Sequence, residues 1–338
     1  MPHRPLALLL TALAAVAALV AGGGSSAATS SKEGTTLSLV AYSTPTVAFS
    51  KIIRAFQKTS AGKDVEFQQS YGASEVQAKA VVAGLPADIV DLSLEPDLQR
   101  LVEAGLVAKS WNRNGYRGFV TKSVVVFVLR NGNPKKIRTW DDLVKPGVDV
   151  VTPNPFTSGG ARWNVMAAYG AQLRAGKTPK QAIAYLHRLF QHVVSQDTSA
   201  RNALNTFLAG RGDVLLTYEN EAILAQQQGR PVYYLIPKAT IQIENPLALL
   251  KKSQSKREAQ AFYKFLYTPT AQRLFATTGY RPVVKSVAKA YVKQFPPRPQ
   301  LFEIGYVGGW PKVAKQFFDP DTGVMARIEK GLGVSTGG

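Results

Sequence analysis

Short apolar segments alternate with amphipathic ones from residue 37 to residue 277, and this alternation limits the possible folds more than any other feature of the chain. Strands are predicted at 37–41, 65–69, 87–92, 124–129, 148–151, 192–195, 214–218 and 246–250. Helices are predicted at 46–59, 74–83, 95–104, 160–173, 178–190, 200–209, 219–228, 256–267 and 270–277. In the first helix Val47, Ile52, Ile53 and Phe56 fall toward one side, the spacing of a half-buried helix. The clearest strand, 124–129, is β-branched and apolar and is closed by Asn131-Gly132-Asn133-Pro134. Repeated strand–helix succession builds parallel sheets covered by helices on both faces, so the fold class is α/β. At 338 residues the chain is long enough for two such domains. Pro296-Pro297-Arg298-Pro299 breaks the pattern, and 331–338 reads as a frayed tail.

The N-terminus has a different grammar. His3 and Arg4 precede an apolar run from Leu6 to Val20, interrupted only by Thr11, and small residues follow from Gly22 to Ala28. Basic, apolar, small is the order of a secretory signal peptide, expected at 1–28; retention of the run as a membrane anchor is the alternative. Leu19-Val20-Ala21-Gly22 resembles the approach to a lipoprotein cleavage site, but Gly23 stands where the lipid-bearing cysteine would be. Residues 29–36 are Ser/Thr/Gly-rich and read as a flexible lead-in. An extracytoplasmic location, periplasmic or secreted, is therefore expected.

The chain contains no cysteine, which excludes disulfides, thiolate metal sites and cysteine nucleophiles. His187 and His192 are its only histidines after the export segment, with no H-E-x-x-H between them, so neither a zinc site nor any other cofactor is expected. G-x-S-x-G, G-x-x-x-x-G-K-[ST] and G-x-G-x-x-G are all missing, which leaves no serine-hydrolase elbow or nucleotide loop. Tyr233-Tyr234 reads as a strand pair with one ring buried in preference to phenolate ligation of iron. The formal net charge is +19, spread along the chain without basic runs. Spread basicity attracts anions at long range, whereas a nucleic-acid surface would cluster its Lys and Arg among aromatics.

Four strand-to-helix junctions share one trait: Ser43-Thr44-Pro45-Thr46, Ser70-Tyr71-Gly72-Ala73-Ser74, Thr157-Ser158-Gly159-Gly160 and Thr198-Ser199-Ala200. Each puts small hydroxyl or glycine residues where a helix begins. Helix starts carry unpaired N–H groups and a partial positive charge, and small residues let an anion approach that backbone. In doubly wound sheets such loops gather beyond the carboxyl ends of the strands. Ser, Thr and Gly are also ordinary helix caps, so one junction alone decides nothing, and sequence spacing does not say whether the four converge.

At the third junction, Thr152-Pro153-Asn154-Pro155-Phe156-Thr157-Ser158-Gly159-Gly160-Ala161-Arg162-Trp163-Asn164 closely resembles the signature of the periplasmic sulfate-binding proteins of sulfate/thiosulfate ABC importers. The same likeness continues in Trp140-Asp141-Asp142-Leu143, Gly212-Asp213-Val214-Leu215, Glu219-Asn220-Glu221-Ala222 and Gly308-Gly309-Trp310. It runs from about Leu37 to Ile328. The resemblance implies a type II periplasmic binding-protein fold: two doubly wound lobes with a central cleft. Lobe I would be 37–118 plus about 251–300, lobe II 119–250, and 301–330 a C-terminal extension packed on both. It further implies a monomeric binding protein, not an enzyme, with an oxyanion and the importer's permease as partners and no nucleic acid. By that resemblance Ser158, Gly159, Gly160, Ser74 and Ala200 would contact the anion.

Two positions depart from the family pattern. An aspartate of the first junction is replaced within Tyr42-Ser43-Thr44-Pro45, so Ser43 or Thr44 would supply the backbone N–H. A tryptophan donor is replaced by Tyr218. A dry pocket that only donates satisfies fully deprotonated sulfate and leaves the proton of hydrogen phosphate unpaired, a cost of about 1–3 kcal/mol. Thiosulfate, molybdate or another oxyanion is the alternative ligand. A secreted hydrolase using the same loops as an oxyanion hole is the alternative of another class.

Overall fold

The computed structural model describes residues 35–253, 255–334 and 336. The expected signal peptide at 1–28 lies outside the described residues, as does most of the lead-in. Thr35 and Thr36, read as part of that lead-in, instead open strand β1 (Thr35–Tyr42), because Val65 and Glu66 lie beside them in parallel register. The chain continues through α1 (Thr46–Phe56), β2 (Val65–Gly72), α2 (Ser74–Val82), β3 (Ile89–Asp91) and α3 (Glu95–Glu103). β1 lies between β2 and β3, parallel to both. α1 buries Ala48, Phe49, Ile52, Ile53 and Phe56, a three-to-four-residue spacing that turns one face of the helix to the sheet.

β4 (Phe119–Arg130) is nearly continuously buried. It is followed by β5 (Val150–Pro153), α4 (Gly159–Arg174), α5 (Pro179–Gln191), β6 (Val193–Asp197), α6 (Ala200–Leu208), β7 (Val214–Tyr218), α7 (Glu219–Gln227), β8 (Val232–Leu235) and β9 (Thr240–Leu249). The remainder comprises α8 (Lys256–Leu266), α9 (Pro269–Thr277), β10 (Arg281–Pro282), α10 (Lys285–Ala290), β11 (Leu301–Phe302), α11 (Gly309–Phe318) and α12 (Val324–Gly331). In β8 Tyr233 is exposed and Tyr234 packs inward, as the strand reading requires.

The main strand order is β2-β1-β3-β9-β4-β7-β5-β6. Both halves follow from this order. β1, β2 and β3 form a parallel group on one side, while β5 is parallel to β6 and β7 on the other. The two middle strands serve both. β4 pairs with β9 through its first residues and with β7 from Val125 to Leu129; β9 runs on to pair with β3. The sequence pattern captures only the end of β9. Its earlier part carries Glu244 and Asn245, polar residues that are nonetheless buried, and Arg117 and Lys122 hold the Glu244 carboxylate at 2.7 and 3.3 Å. Such partners are invisible in local sequence.

The C-terminus is better anchored than expected. Gly333 adopts φ +74°, Val334 N donates to Glu329 O at 2.9 Å and Gly333 N to Lys330 O at 3.2 Å. This is a glycine-terminated helix end, so order persists to Val334. Farther in, Trp310 of α11 meets Trp163 of α4 edge-on, with ring centroids 4.7 Å apart.

Phe127 of β4 is fully buried and sits edge-on to Trp140 at 4.7 Å. Phe127→Ala is expected to destabilise the fold by about 3–5 kcal/mol, measured as a lower midpoint of urea unfolding with little change in slope.

Candidate functional site

A small cavity of about 10 Å³ lies where the two halves of the sheet meet. Tyr42, Ser43, Ser74 and Ser93 line it from the first half, and Ser158, Gly159, Gly160, Ala200 and Tyr218 from the second. It is far smaller than the pockets for drug-sized molecules, which run from about 300 to 1,000 Å³. Two larger grooves, of about 270 and 420 Å³, lie on the surface around Arg138, Arg174 and Lys238 and around Lys180, His187 and Arg327. Neither gathers more than two helix starts.

The small cavity does. Ser74 opens α2, Gly159 and Gly160 open α4, and Ala200 opens α6. Ser93 lies two residues before α3, Ser43 three before α1, and Tyr218 immediately before α7. Among the described residues that line the cavity, none carries a charge. The donors that face it are therefore backbone N–H groups and hydroxyls.

Seven of the eight residues singled out from the sequence line this cavity: Ser43, Ser74, Ser158, Gly159, Gly160, Ala200 and Tyr218. Thr44 does not. Its Oγ1 lies 2.8 Å from Tyr280 Oη, and its carbonyl accepts from Arg201 Nη2 at 3.0 Å. Between Ser43 and Thr44 it is Ser43 that reaches the cavity. Tyr42 and Ser93 line it without having been anticipated. Leu92-Ser93-Leu94-Glu95 is a fifth junction of the same small-hydroxyl kind, so a signal for Ser93 was present.

Ser93 is the most connected of the lining residues. Its N–H donates to Ser74 Oγ at 2.9 Å, its carbonyl accepts from Trp163 Nε1 at 2.9 Å and Asn245 Nδ2 at 3.1 Å, and its Oγ lies 2.6 Å from Tyr218 Oη. Trp163 and Tyr218 come from the opposite half. Contact between the halves is close enough that a Cβ on Gly159 would fall 2.6 Å from Leu94 Cδ2 and 2.7 Å from Ser93 Oγ. Only glycine fits there without displacing the neighbouring loop.

The nearby arginines are engaged elsewhere. Arg162 is nine-tenths buried, donates to Pro155 O at 2.8 Å and pairs with Glu75, with Asp97 at 3.9 Å. Arg201 makes a two-pronged bond to the buried Glu221, both contacts at 2.7 Å. Burial pushes the Asp97 carboxyl up to about 6, against the pull of Arg162. Asp91, at the end of β3, is 1% exposed, and neither of its carboxylate oxygens has a hydrogen-bond partner among the described residues. Burial raises its pKa well above the ordinary carboxylate value.

The family profile described as "Bacterial extracellular solute-binding protein" matches residues 37–281. The chain belongs to this family. Among its relatives is the sulfate-binding protein of Synechococcus elongatus, 40% identical over 89% of each chain. The thiosulfate-binding protein of Pseudomonas aeruginosa is 34% identical over 86% of this chain and 90% of that one. The structure of the sulfate-binding protein SubI from Mycobacterium tuberculosis superposes with a TM-score of 0.82 at 44% identity, covering 84% of this chain and all of SubI. The solute-binding protein described here thus has the type II periplasmic binding-protein fold implied by its motifs.

The isolated Asp91 carboxyl gives a pH signature. Its folded pKa lies above its unfolded value of about 3.9, so the folded state holds the proton more tightly and loses stability as pH rises above about 4. Asp91→Asn is expected to raise Tm at pH 8, with the gain shrinking toward zero at pH 4 in thermal melts across that range.

Proposed function

We propose that this solute-binding protein captures sulfate in the cavity between its two halves and delivers it, outside the cytoplasmic membrane, to the permease of an ABC importer. The observation that carries this reading is the convergence of the α2, α4 and α6 starts on one small cavity lined by no charged side chain. Sulfate accepts hydrogen bonds through all of its oxygens, and a cage of neutral donors at helix starts matches it. The sulfate-binding relatives, at 40% identity and above in the cases described, support the same ligand.

In this reading Ser43, Ser74, Ser158, Gly159, Gly160, Ala200 and Tyr218 bind the anion, joined by Ser93 and Tyr42. Thr44 positions Ser43 through its bonds to Tyr280 and Arg201. Lobe I comprises β1 to α3 with α8 and α9, lobe II the segment from β4 to β9, and closure of one on the other is the state offered to the permease. The protein is a carrier, not a catalyst. Among the described residues its serines at the cavity have no histidine base, since His187 is exposed on α5 and His192 Nδ1 lies 3.0 Å from the Val148 carbonyl oxygen. The basic, apolar and small N-terminal segment supports export.

Isothermal titration of the mature chain is expected to give one sulfate per chain, bound more tightly than thiosulfate or molybdate; tighter binding of either would reassign the ligand. Gly159→Asp is expected to abolish this binding, a loss of at least about 1,000-fold (~4 kcal/mol). It sets a carboxylate beside the anion and a Cβ against Ser93 and Leu94. Unchanged affinity in a folded Gly159→Asp protein would move the site elsewhere.

A further inference from the structure

The cavity lining is uncharged, but an ionisable group sits just behind it. Strand β3 ends at Asp91, two residues before Ser93 of the cavity wall. In the parallel register of β1 and β3, Asp91 lies beside Ala41, the residue before Tyr42, which lines the cavity as well. Asp91 is buried, and both of its carboxylate oxygens lack a hydrogen-bond partner among the described residues. Other buried carboxylates of the region differ in this respect. Glu75 and Asp97 have Arg162, Glu221 has Arg201 and Glu219 has Arg281. Among the described residues, no lysine or arginine pairs with Asp91.

Phenols face it instead. Tyr42 comes from β1, Tyr71 from β2 and Tyr218 from β7, while Tyr267 follows α8 and Tyr280 precedes β10. Burial raises the pKa of all five, and the Asp91 charge adds to the effect. Strand β9 contributes Glu244, whose carboxylate is already held by Arg117 and Lys122. An ionised Asp91 is therefore a buried charge without a counter-ion, which is costly. A bound dianion would set a second negative charge on the other side of the wall formed by Tyr42 and Ser93. Two like charges in a dry site oppose each other's presence.

We propose that Asp91 makes this cavity pH-responsive: the anion is held in front of a protonated Asp91, and anion binding is linked to proton uptake at that carboxyl. The inference rests on the oxyanion reading above. Asp91 touches no ligand and acts only through its charge. Its proton is held below the folded pKa, which burial raises. As pH rises through that value the proton leaves, a negative charge appears behind the wall, and anion affinity falls. By reciprocity the bound anion keeps the proton in place to higher pH. Sulfate neither gains nor loses a proton near neutrality, so the dependence belongs to the protein. Burial brings Asp97 up to about 6, so its titration lies mostly below the range in which Asp91 is tested.

The test is calorimetric titration with sulfate of the unmodified chain and of Asp91→Asn, from pH 7 to pH 9 at constant ionic strength. Each pH is measured in two buffers of different ionisation enthalpy. The unmodified chain is expected to lose at least about ten-fold in affinity between pH 7 and pH 9, the equivalent of one pKa unit of coupling. Its binding heat should change with the buffer, the mark of proton uptake. Asp91→Asn keeps the shape and cannot ionise, so its affinity is expected to stay within about two-fold over the same range, with no buffer dependence. A merely structural role for Asp91 would shift affinity equally at every pH. Flat affinity in the unmodified chain, or a pH dependence that survives in Asp91→Asn, overturns this inference and leaves the oxyanion reading intact. No sulfate binding at any pH overturns the oxyanion reading with it.

Discussion

Unpaired N–H groups at helix starts are the constraint on which the rest of this structure depends. Every α-helix leaves its first amides without internal partners and carries partial positive charge there. In this protein α2, α4 and α6 begin at the cavity wall, and α1, α3 and α7 begin within a few residues of it. The six starts come from both halves of the sheet, so like-signed helix ends face one another across the seam. An acceptor between them satisfies both sides at once; without one, closure leaves donors unpaired. The nearest guanidinium groups do not alter this balance, because Glu75, Asp97 and Glu221 already neutralise them. What remains at the cavity is the field of the backbone itself.

Strands β4 and β9 make that geometry possible. They pair with each other and each continues into a different half, so both walls of the cavity hang from the same two strands. The C-terminal segment adds a prop from behind. Trp310 packs on Trp163, whose indole N–H reaches across to the Ser93 carbonyl. A helix remote from the cavity in sequence thereby helps to set the Ser93 loop.

The legible and illegible parts of this architecture divide along physical lines. Alternating apolar and amphipathic segments report local periodicity, so α4, α6 and β7 could be read from the chain nearly to the residue. Small hydroxyl junctions report capping, so Ser74, Ser158 and Ala200 stood out. Convergence is a property of strand order, and strand order depends on long-range pairing that local periodicity does not carry. Ser93 is harder to read because Leu92 and Leu94 disguise the serine within an apolar run. The engagement of Thr44 was equally hidden: its hydroxyl pairs with Tyr280, a partner 236 residues away. The first part of β9 was hidden by Glu244 and Asn245, whose burial is tolerable only because Arg117, Lys122 and Thr121 meet them.

The spent arginines have a kinetic consequence. Basic residues elsewhere on the chain, in a sequence of net charge +19, act on a distant anion through solvent, where dissolved ions screen them over about 10 Å. The cavity's own amides act at contact, beyond the reach of that screening. Ionic strength should therefore govern how fast an anion arrives and scarcely affect how long it stays.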